Sequence, residues 1–225
     1  MKIVVQMIAC GISISLLLLA IGCKKEEARS TQSALLTPDP AELNAPAPGK
    51  FQIKFETTAG DFTIEVYRDW SPHGVDRLYY LVKHNFYDGV RFFRVIDGFM
   101  AQFGYHGDPA VSKVWTSMVI PDDPVKASNL RGYVSFAKRA IPDSRTTQLF
   151  INLVDNSYLD DSGFSPIGNV IAGMDIVDRL YSGYGDGAPK GRGPDQTRTA
   201  LEGNDYLTKN FPKLDYIKKT VIISE

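Results

Sequence analysis

Hydrophobic and polar residues alternate in two short runs near the start of the folded part of the chain. The runs cover residues 51–55 and 62–66, with a hydrophobic side chain at every second position. Strand side chains point alternately to the two faces of a sheet, so each run buries one face. Residues 58–61 (TAGD) between them are turn formers, and the pattern predicts a β-hairpin.

A helical period replaces this alternation after the hairpin. Ser71 and Pro72 predict an N-cap and a first-turn proline, and hydrophobic residues then recur at helical spacing from Val75 to Phe86. A second short helix is predicted near residues 174–181. Further strands are predicted at residues 90–96, 132–137, 149–154, 167–171 and 216–224. The fold class is therefore mainly β, with antiparallel strands in a barrel whose ends two helices cover.

The first 22 residues have the features of a targeting segment. Lys2 supplies a positive charge near the start, and a short hydrophobic run at residues 12–22 ends in Ala20-Ile21-Gly22, directly before Cys23. This ending resembles the lipobox of bacterial lipoproteins, although the lipobox usually has leucine where this chain has Ala20. Two alternatives stay open. One is a cleaved secretory signal with an incidental cysteine, and the other is an uncleaved anchor, for which residues 3–22 are long enough.

The lipobox resemblance implies that lipid is attached to Cys23 and that Cys10 is removed with the signal peptide. Diacylglycerol and an amide-linked chain together supply the two acyl chains that stable membrane attachment needs. Residues 23–49 are rich in proline, alanine and charged residues, and we predict a disordered tether there. The predicted organisation is a signal peptide at 1–22, the tether at 23–49 and a folded domain at 50–225.

Charge and cysteine content exclude several classes of function. The chain has 25 basic and 26 acidic residues, so it lacks the positive charge that nucleic-acid binding needs. Its two cysteines, Cys10 and Cys23, both precede the domain, which excludes disulfides, thiolate nucleophiles and cysteine-ligated zinc from residues 50–225. The three histidines lack metal-ligand spacing, and we expect neither a metal nor a cofactor.

Two further motifs favour structural explanations. Residues 183–190 look like a phosphate-binding loop, but they follow a predicted helix rather than a strand, and Lys190 is followed by glycine. Asp122 and Asp123 are adjacent acids beside Pro124. That arrangement favours a solvated turn over a pair of catalytic carboxylates.

One long motif carries a specific family resemblance. Residues 86–102, FYDGVRFFRVIDGFMAQ, resemble the signature of cyclophilin-type peptidyl-prolyl isomerases, with Phe93 in place of the usual histidine. The resemblance continues through GYVSFA at 132–137 and TQLFIN at 147–152, and it covers the domain in order. It implies a closed eight-stranded antiparallel β-barrel capped by two α-helices.

Rotation of an X-Pro bond requires no nucleophile, proton shuttle or metal. The barrier of about 18–20 kcal/mol comes from amide resonance, which is lost as the bond twists. The prolyl nitrogen becomes basic in the twisted state, so a hydrogen-bond donor aimed at it stabilises that state selectively. Arginine is permanently charged and has several donors. The resemblance assigns this catalytic role to Arg94, whereas a lone arginine on a strand would indicate a surface ion pair.

The same resemblance implies the rest of a substrate-binding site. Gln102 would bond a substrate carbonyl and steady Arg94, with Gln148 nearby. Main-chain groups of Ala137 and Lys138 would hold the peptide. The apolar slot for the proline ring would be lined by Phe99, Met100, Phe150 and Leu159, although each also fits a barrel core. Phe99 and Met100 both reach the slot only if the backbone bends, which Gly98 permits.

Four positions depart from the family pattern. Phe93 replaces a histidine, and Lys138 replaces an asparagine whose role we expect to be met by the main chain. Phe164 replaces a histidine and makes one pocket wall apolar, which should alter the preference for the residue before proline. Tyr158 replaces a tryptophan and lacks the indole N–H, so we expect weak cyclosporin binding.

These observations together favour an active prolyl isomerase, because Arg94 and the slot residues are retained. We expect a monomer that acts on proline-containing polypeptides, lipid-anchored in a bacterial cell envelope and facing the periplasm or the exterior. The residue after the lipid site is Lys24 and not an acid that would retain a lipoprotein in the inner membrane. This favours the outer membrane where there is one. Two alternatives stay open: a proline-peptide binding module or chaperone, and a structural envelope lipoprotein.

Overall fold

A computed structural model describes residues 32–225. The chain divides into two units, residues 1–38 and residues 39–225. In the first unit, residues 32–36 are helical. The predicted signal peptide and the predicted lipidation site Cys23 lie outside the described residues. Within residues 32–225, no helix is both long enough and apolar enough to cross a membrane.

The larger unit begins inside the segment predicted as a tether. A short helix α1, Pro40–Leu43, is capped by the side chain of Asp39. The main-chain N–H of Ala47 donates to the Asp76 carboxylate at 2.8 Å. The folded unit therefore begins at Asp39 rather than at residue 50. The tether prediction fails for residues 39–49 because hydrogen bonds to the domain, which composition does not reveal, hold this segment.

The predicted hairpin is confirmed. Strands β1 (Lys50–Thr57) and β2 (Asp61–Tyr67) pair in antiparallel register, and the residues facing inwards alternate with partly exposed ones. Phe55 lies opposite Phe62, and their rings stack with centroids 4.8 Å apart. This pair forms part of the core that supports the sheet from one side.

Helix α2 (Pro72–Lys83) begins at the predicted proline, but Ser71 does not cap it. Asp123 takes that place from a distant part of the chain, accepting from the N–H groups of His73 and Gly74. The Ser71 hydroxyl donates to Asp123 at 2.6 Å, and buried Arg145 donates to the same carboxylate at 2.8 Å. The prediction of a solvated turn at Asp123 is therefore wrong, because this carboxylate is the buried partner of Arg145.

Eight strands form one antiparallel sheet. Besides β1 and β2 they are β3 (Arg94–Ile96), β4 (Met100–Phe103), β5 (Tyr133–Phe136), β6 (Leu149–Asn152), β7 (Pro166–Ala172) and β8 (Ile217–Ser224). Their order in the sheet is β3-β4-β6-β5-β7-β2-β1-β8. The sheet is curled and open, with β3 and β8 at its two edges, so the prediction of a closed barrel is wrong. The two edges do not join in a ladder. Main-chain hydrogen bonds between residues 89–92 and 215–217, with an isolated bridge between Arg91 and Tyr216, connect the segment before β3 to the start of β8.

The helices differ from the predicted pair. The helix expected near residues 174–181 is the single turn α4, Met174–Val177, and α3 (Pro109–Trp115) precedes it. The longer α5, Gln196–Asn210, was not predicted. It has few apolar residues, and Gly203 interrupts it with φ of 58° and ψ of −143°, which obscures the helical period.

We predict that Asp123→Ala destabilises the protein by about 3–5 kcal/mol, because it removes the hydrogen-bonded counterion of the buried Arg145 and leaves only the Asp122 carboxylate, 3.5 Å from Nε. Denaturant unfolding measures the change. Asp175→Ala is the matched control, since it removes an ion pair with Arg179 whose side chains are 72% and 60% exposed. If the two variants lose similar free energy, Asp123 does not anchor α2 as described.

Candidate functional site

Strand register places three predicted site residues in one row. Arg94 of β3 lies opposite Gln102 of β4, and Gln102 lies opposite Phe150 of β6. Side chains two residues apart share a face of a strand, so Met100 joins Gln102 on this side of β4. Phe103 points to the other side, where its ring packs in the aromatic core.

A cleft of about 280 Å³ opens above this row of residues. Its lining includes nine of the residues that the sequence resemblance assigned to a substrate site: Arg94, Phe99, Met100, Gln102, Ala137, Lys138, Phe150, Leu159 and Phe164. Gln148 lines the adjoining cleft. Tyr158 lines neither cleft and is 61% exposed, so the structure does not bring it together with the others.

A tight turn brings Phe99 to the cleft beside Met100. Residues 97–99 form the turn between β3 and β4, and Gly98 has a φ of +69°. Positive φ is readily available to glycine, so this position permits the bend that was expected from two adjacent pocket residues. The Arg94 guanidinium lies 5.9 Å from the centre of the Phe99 ring.

The cleft has an apolar floor. Met100 and Phe150 are 2% and 4% exposed, and the ring of Phe150 meets that of Phe164 edge-on with centroids 5.6 Å apart. Leu159 reaches the cleft from a 3-10 helix, Ser157–Ser162, which ends at Gly163 in the left-handed conformation. The floor can therefore receive a compact hydrophobic ring.

Hydrogen bonds from a buried asparagine fix the segment that carries Leu159 and Phe164. The side-chain amide of Asn129 donates to the Asp160 carboxylate at 2.7 Å and to the Phe164 carbonyl at 2.8 Å. Asn129 is fully buried. These bonds tie one wall of the cleft to the chain ahead of β5.

A chain of polar side chains crosses the mouth of the cleft. Nη1 of Arg94 donates to Oε1 of Gln102 at 3.1 Å, and Nε2 of Gln102 donates to Oε1 of Gln148 at 2.9 Å. Gln102 is only 7% exposed. Arg94 is thus steadied by Gln102, as the resemblance implied, and Gln102 is itself oriented by a second glutamine.

Asp186 is a site residue that the sequence reasoning missed. Its carboxylate accepts from Nε of Arg94 at 2.7 Å and from Nη2 at 3.0 Å. The hydrogen bond from Arg94 lowers the pKa of Asp186 below its ordinary value, against the opposing effect of burial. A sequence signal existed, because Asp186 is the only acid among residues 183–194, in a segment otherwise rich in glycine and basic residues. Gln196, at the start of α5, also lines the cleft and was missed.

Ala137, Lys138 and Phe93 each have partners within the protein. Ala137 donates its N–H to the Gln148 carbonyl at 2.9 Å, so this group already belongs to the sheet. Nζ of Lys138 donates to Asp122 at 3.2 Å and lies 5.9 Å from the centre of the Phe164 ring. Phe93, adjacent to Arg94, is buried against Tyr105 and does not line the cleft. Across residues 32–225 no cluster of three His, Cys, Asp or Glu side chains could hold a metal ion.

Comparison with known proteins gives consistent matches. A family model for cyclophilin-type peptidyl-prolyl cis-trans isomerase/CLD matches residues 52–198. Peptidyl-prolyl cis-trans isomerase B of Escherichia coli is 32% identical over 181 residues, covering 77% of this chain and 99% of the relative. A peptidyl-prolyl cis-trans isomerase of Acinetobacter baylyi is 34% identical over 142 residues, covering 61% of this chain and 76% of the relative.

A solved structure matches the fold. The cyclophilin-type peptidyl-prolyl cis-trans isomerase of Cryptosporidium parvum, crystallised in the presence of the dipeptide Ala-Pro, aligns with a TM-score of 0.53 at 20% identity. The alignment covers 77% of this chain and 99% of that chain. At this level of identity the likeness concerns the fold alone.

We predict that Arg94→Ala raises the pKa of Asp186 toward its ordinary value of 3.8, because the guanidinium that favours the charged carboxylate is removed. An NMR titration of the Asp186 carboxyl carbon measures this pKa. A lowered pKa means that the ion pair favours the folded protein above pH 3.8, and that this contribution is lost as the pH falls through the lowered pKa. An unchanged pKa in the variant would contradict the contact.

Proposed function

Because the chain belongs to the cyclophilin-type peptidyl-prolyl cis-trans isomerases, an enzyme family, we propose that it isomerises X-Pro bonds by hydrogen-bonding the prolyl nitrogen through Arg94. The proposal is carried by one observation: a steadied guanidinium stands at the edge of a cleft with an apolar floor. The floor would seat the proline ring, and the guanidinium would meet the amide that twists.

The donor inventory of Arg94 supports this role. A guanidinium has five N–H donors, of which Asp186 takes two and Gln102 takes one. Two N–H donors are left for substrate. A planar amide nitrogen is a poor acceptor, whereas the pyramidal nitrogen of the twisted bond is a good one, so the bond forms selectively in the transition state.

The residues around Arg94 would position the substrate. The ring of proline would lie on Met100 and Phe150, which are buried enough to exclude water from one side of the reacting bond. The amide of Gln102 and main-chain groups at residues 137–138 would bond the flanking peptide. Phe164 makes one wall apolar, which favours an apolar residue before proline over a charged one.

We predict that Arg94→Ala lowers kcat/KM for an X-Pro peptide by about 10²-fold or more, since removing one preorganised donor of this kind loses about 2.7–4 kcal/mol. NMR exchange spectroscopy on a short peptide measures the rate. Arg179→Ala is the matched control, because it also removes an arginine but from an exposed ion pair outside the cleft.

Two outcomes would contradict the proposal. A wild-type protein that does not accelerate the exchange is not an active isomerase, and the family's chemistry has been lost in this chain. A variant lacking Arg94 that retains wild-type activity would show that the protein isomerises X-Pro bonds without Arg94 as the hydrogen-bond donor.

We further propose that the protein is a lipoprotein of a bacterial envelope, in which it assists the folding of exported proteins. The support is the run of apolar residues that ends in Ala20-Ile21-Gly22-Cys23. The cut before Cys23 would remove the signal peptide, and acylation of Cys23 would leave the domain on the outer side of the membrane. We propose a monomer there. Weak cyclosporin binding is expected because Tyr158 has no indole N–H.

We predict that mass spectrometry of the mature protein finds an acylated Cys23 at the N-terminus, and that the Cys23→Ser variant carries no acyl chain and is not cut before residue 23. Cys10→Ser is the control, because this cysteine would be removed with the signal peptide and its loss should change neither result. An unmodified Cys23, or a mature chain that retains residues 1–22, would defeat the lipoprotein proposal.

A further inference from the structure

Asp186 holds the catalytic arginine by two parallel hydrogen bonds, yet it lies far along the chain from the motif at residues 86–102. The two side chains are partly buried, with 23% of Arg94 and 20% of Asp186 exposed. Paired bonds of this kind fix both the position and the plane of a guanidinium. Gln102 approaches a third nitrogen, so Arg94 is held from two directions.

The segment that carries Asp186 is folded back on itself so that this side chain is aimed at Arg94. The N–H of Gly187 donates to the Asp186 carboxylate at 2.8 Å, and the N–H of Gly193 donates to the Asp186 carbonyl at 2.7 Å. A Cβ atom at Gly191 would collide with the carbonyl oxygen and the amide nitrogen of Asp186. The glycine-rich run is therefore required for close packing around Asp186.

We propose that Asp186 is a positioning residue, which holds the Arg94 guanidinium in the orientation that meets the prolyl nitrogen. This inference rests on the proposed function. Arg94 retains two N–H donors after its bonds to Asp186 and Gln102 are counted, so substrate does not have to displace the carboxylate. A donor fixed in advance needs no reorganisation when the bond twists, and its contribution falls on the transition state.

The test compares two variants that disturb Asp186 in different ways. Asp186→Asn removes the charge and one acceptor, whereas Gly191→Ala keeps every charge and displaces the Asp186 backbone. Both should lower kcat by on the order of ten- to a hundredfold, the loss expected when a catalytic group is misplaced by about 1 Å. KM should change by less than about twofold, since positioning acts on the transition state.

Matched controls separate positioning from a general loss of structure. Asp205→Asn removes an exposed carboxylate from α5, and Gly49→Ala adds a methyl group where no atom lies within 4 Å. Both should keep wild-type kcat. The variants are compared at temperatures at which all of them are folded, as shown by their melting curves. If Asp186→Asn does not fold, Gly191→Ala alone tests the inference.

A spectroscopic measurement reports the contact itself. In the wild-type protein, the Nε–H of Arg94 is bonded to Asp186 and should exchange slowly with water, and in both variants its signal should exchange rapidly. Unchanged or increased kcat in either folded variant would overturn the inference, an increase indicating that Asp186 restrains the arginine from reaching substrate. An inactive wild-type protein would instead defeat the proposed function, and this inference with it.

Discussion

The pairing of Arg94 with Gln102 across β3 and β4 is the contact on which the cleft depends. It sets a permanent positive charge beside an amide that is itself fixed by Gln148, and the next strand adds Phe150 to the same row. A slip of one residue in this register would turn these side chains into the core and bring core residues to the surface. The chemistry proposed for the cleft is therefore a consequence of strand register.

The charge of Arg94 and the apolar floor have different roles at this site: the floor binds the substrate, and the charge stabilises the transition state. Packing of the proline ring on Met100 and Phe150 stabilises the bound peptide whether the X-Pro bond is cis, trans or twisted. This apolar contact therefore contributes to binding but does not distinguish the transition state. The guanidinium distinguishes the twisted state, because only there does the prolyl nitrogen accept a hydrogen bond. The buried charge pair of Asp123 and Arg145 has a structural role instead, because it connects the start of α2 to distant segments of the chain.

The sequence allowed the local elements and most of the cleft to be predicted, but contacts between distant segments were beyond it. The hairpin followed from strict alternation, and the bend at Gly98 followed from two adjacent pocket residues. Asp123, assigned to a solvated turn, is buried by Arg145, which lies 22 positions away. Asp186 binds Arg94 although the two residues are 92 positions apart, and no local sequence pattern predicts such a contact. Closure of the sheet would require β3 to pair with β8, which lies far along the chain, and no local pattern predicts whether two such distant strands pair.

The catalytic role of Arg94 is tested by measuring the cis–trans exchange rate of a proline peptide while it is bound to the protein. With wild-type protein and Arg94→Ala each saturated by the same X-Pro peptide, NMR line shapes give both the cis–trans rate in the complex and the Kd. We predict that the bound rate falls by about 10²-fold or more while Kd changes by less than about threefold, because the bond to Arg94 forms in the twisted state. A Kd that weakens as much as the rate falls would contradict it, since Arg94 would then bind substrate and transition state alike.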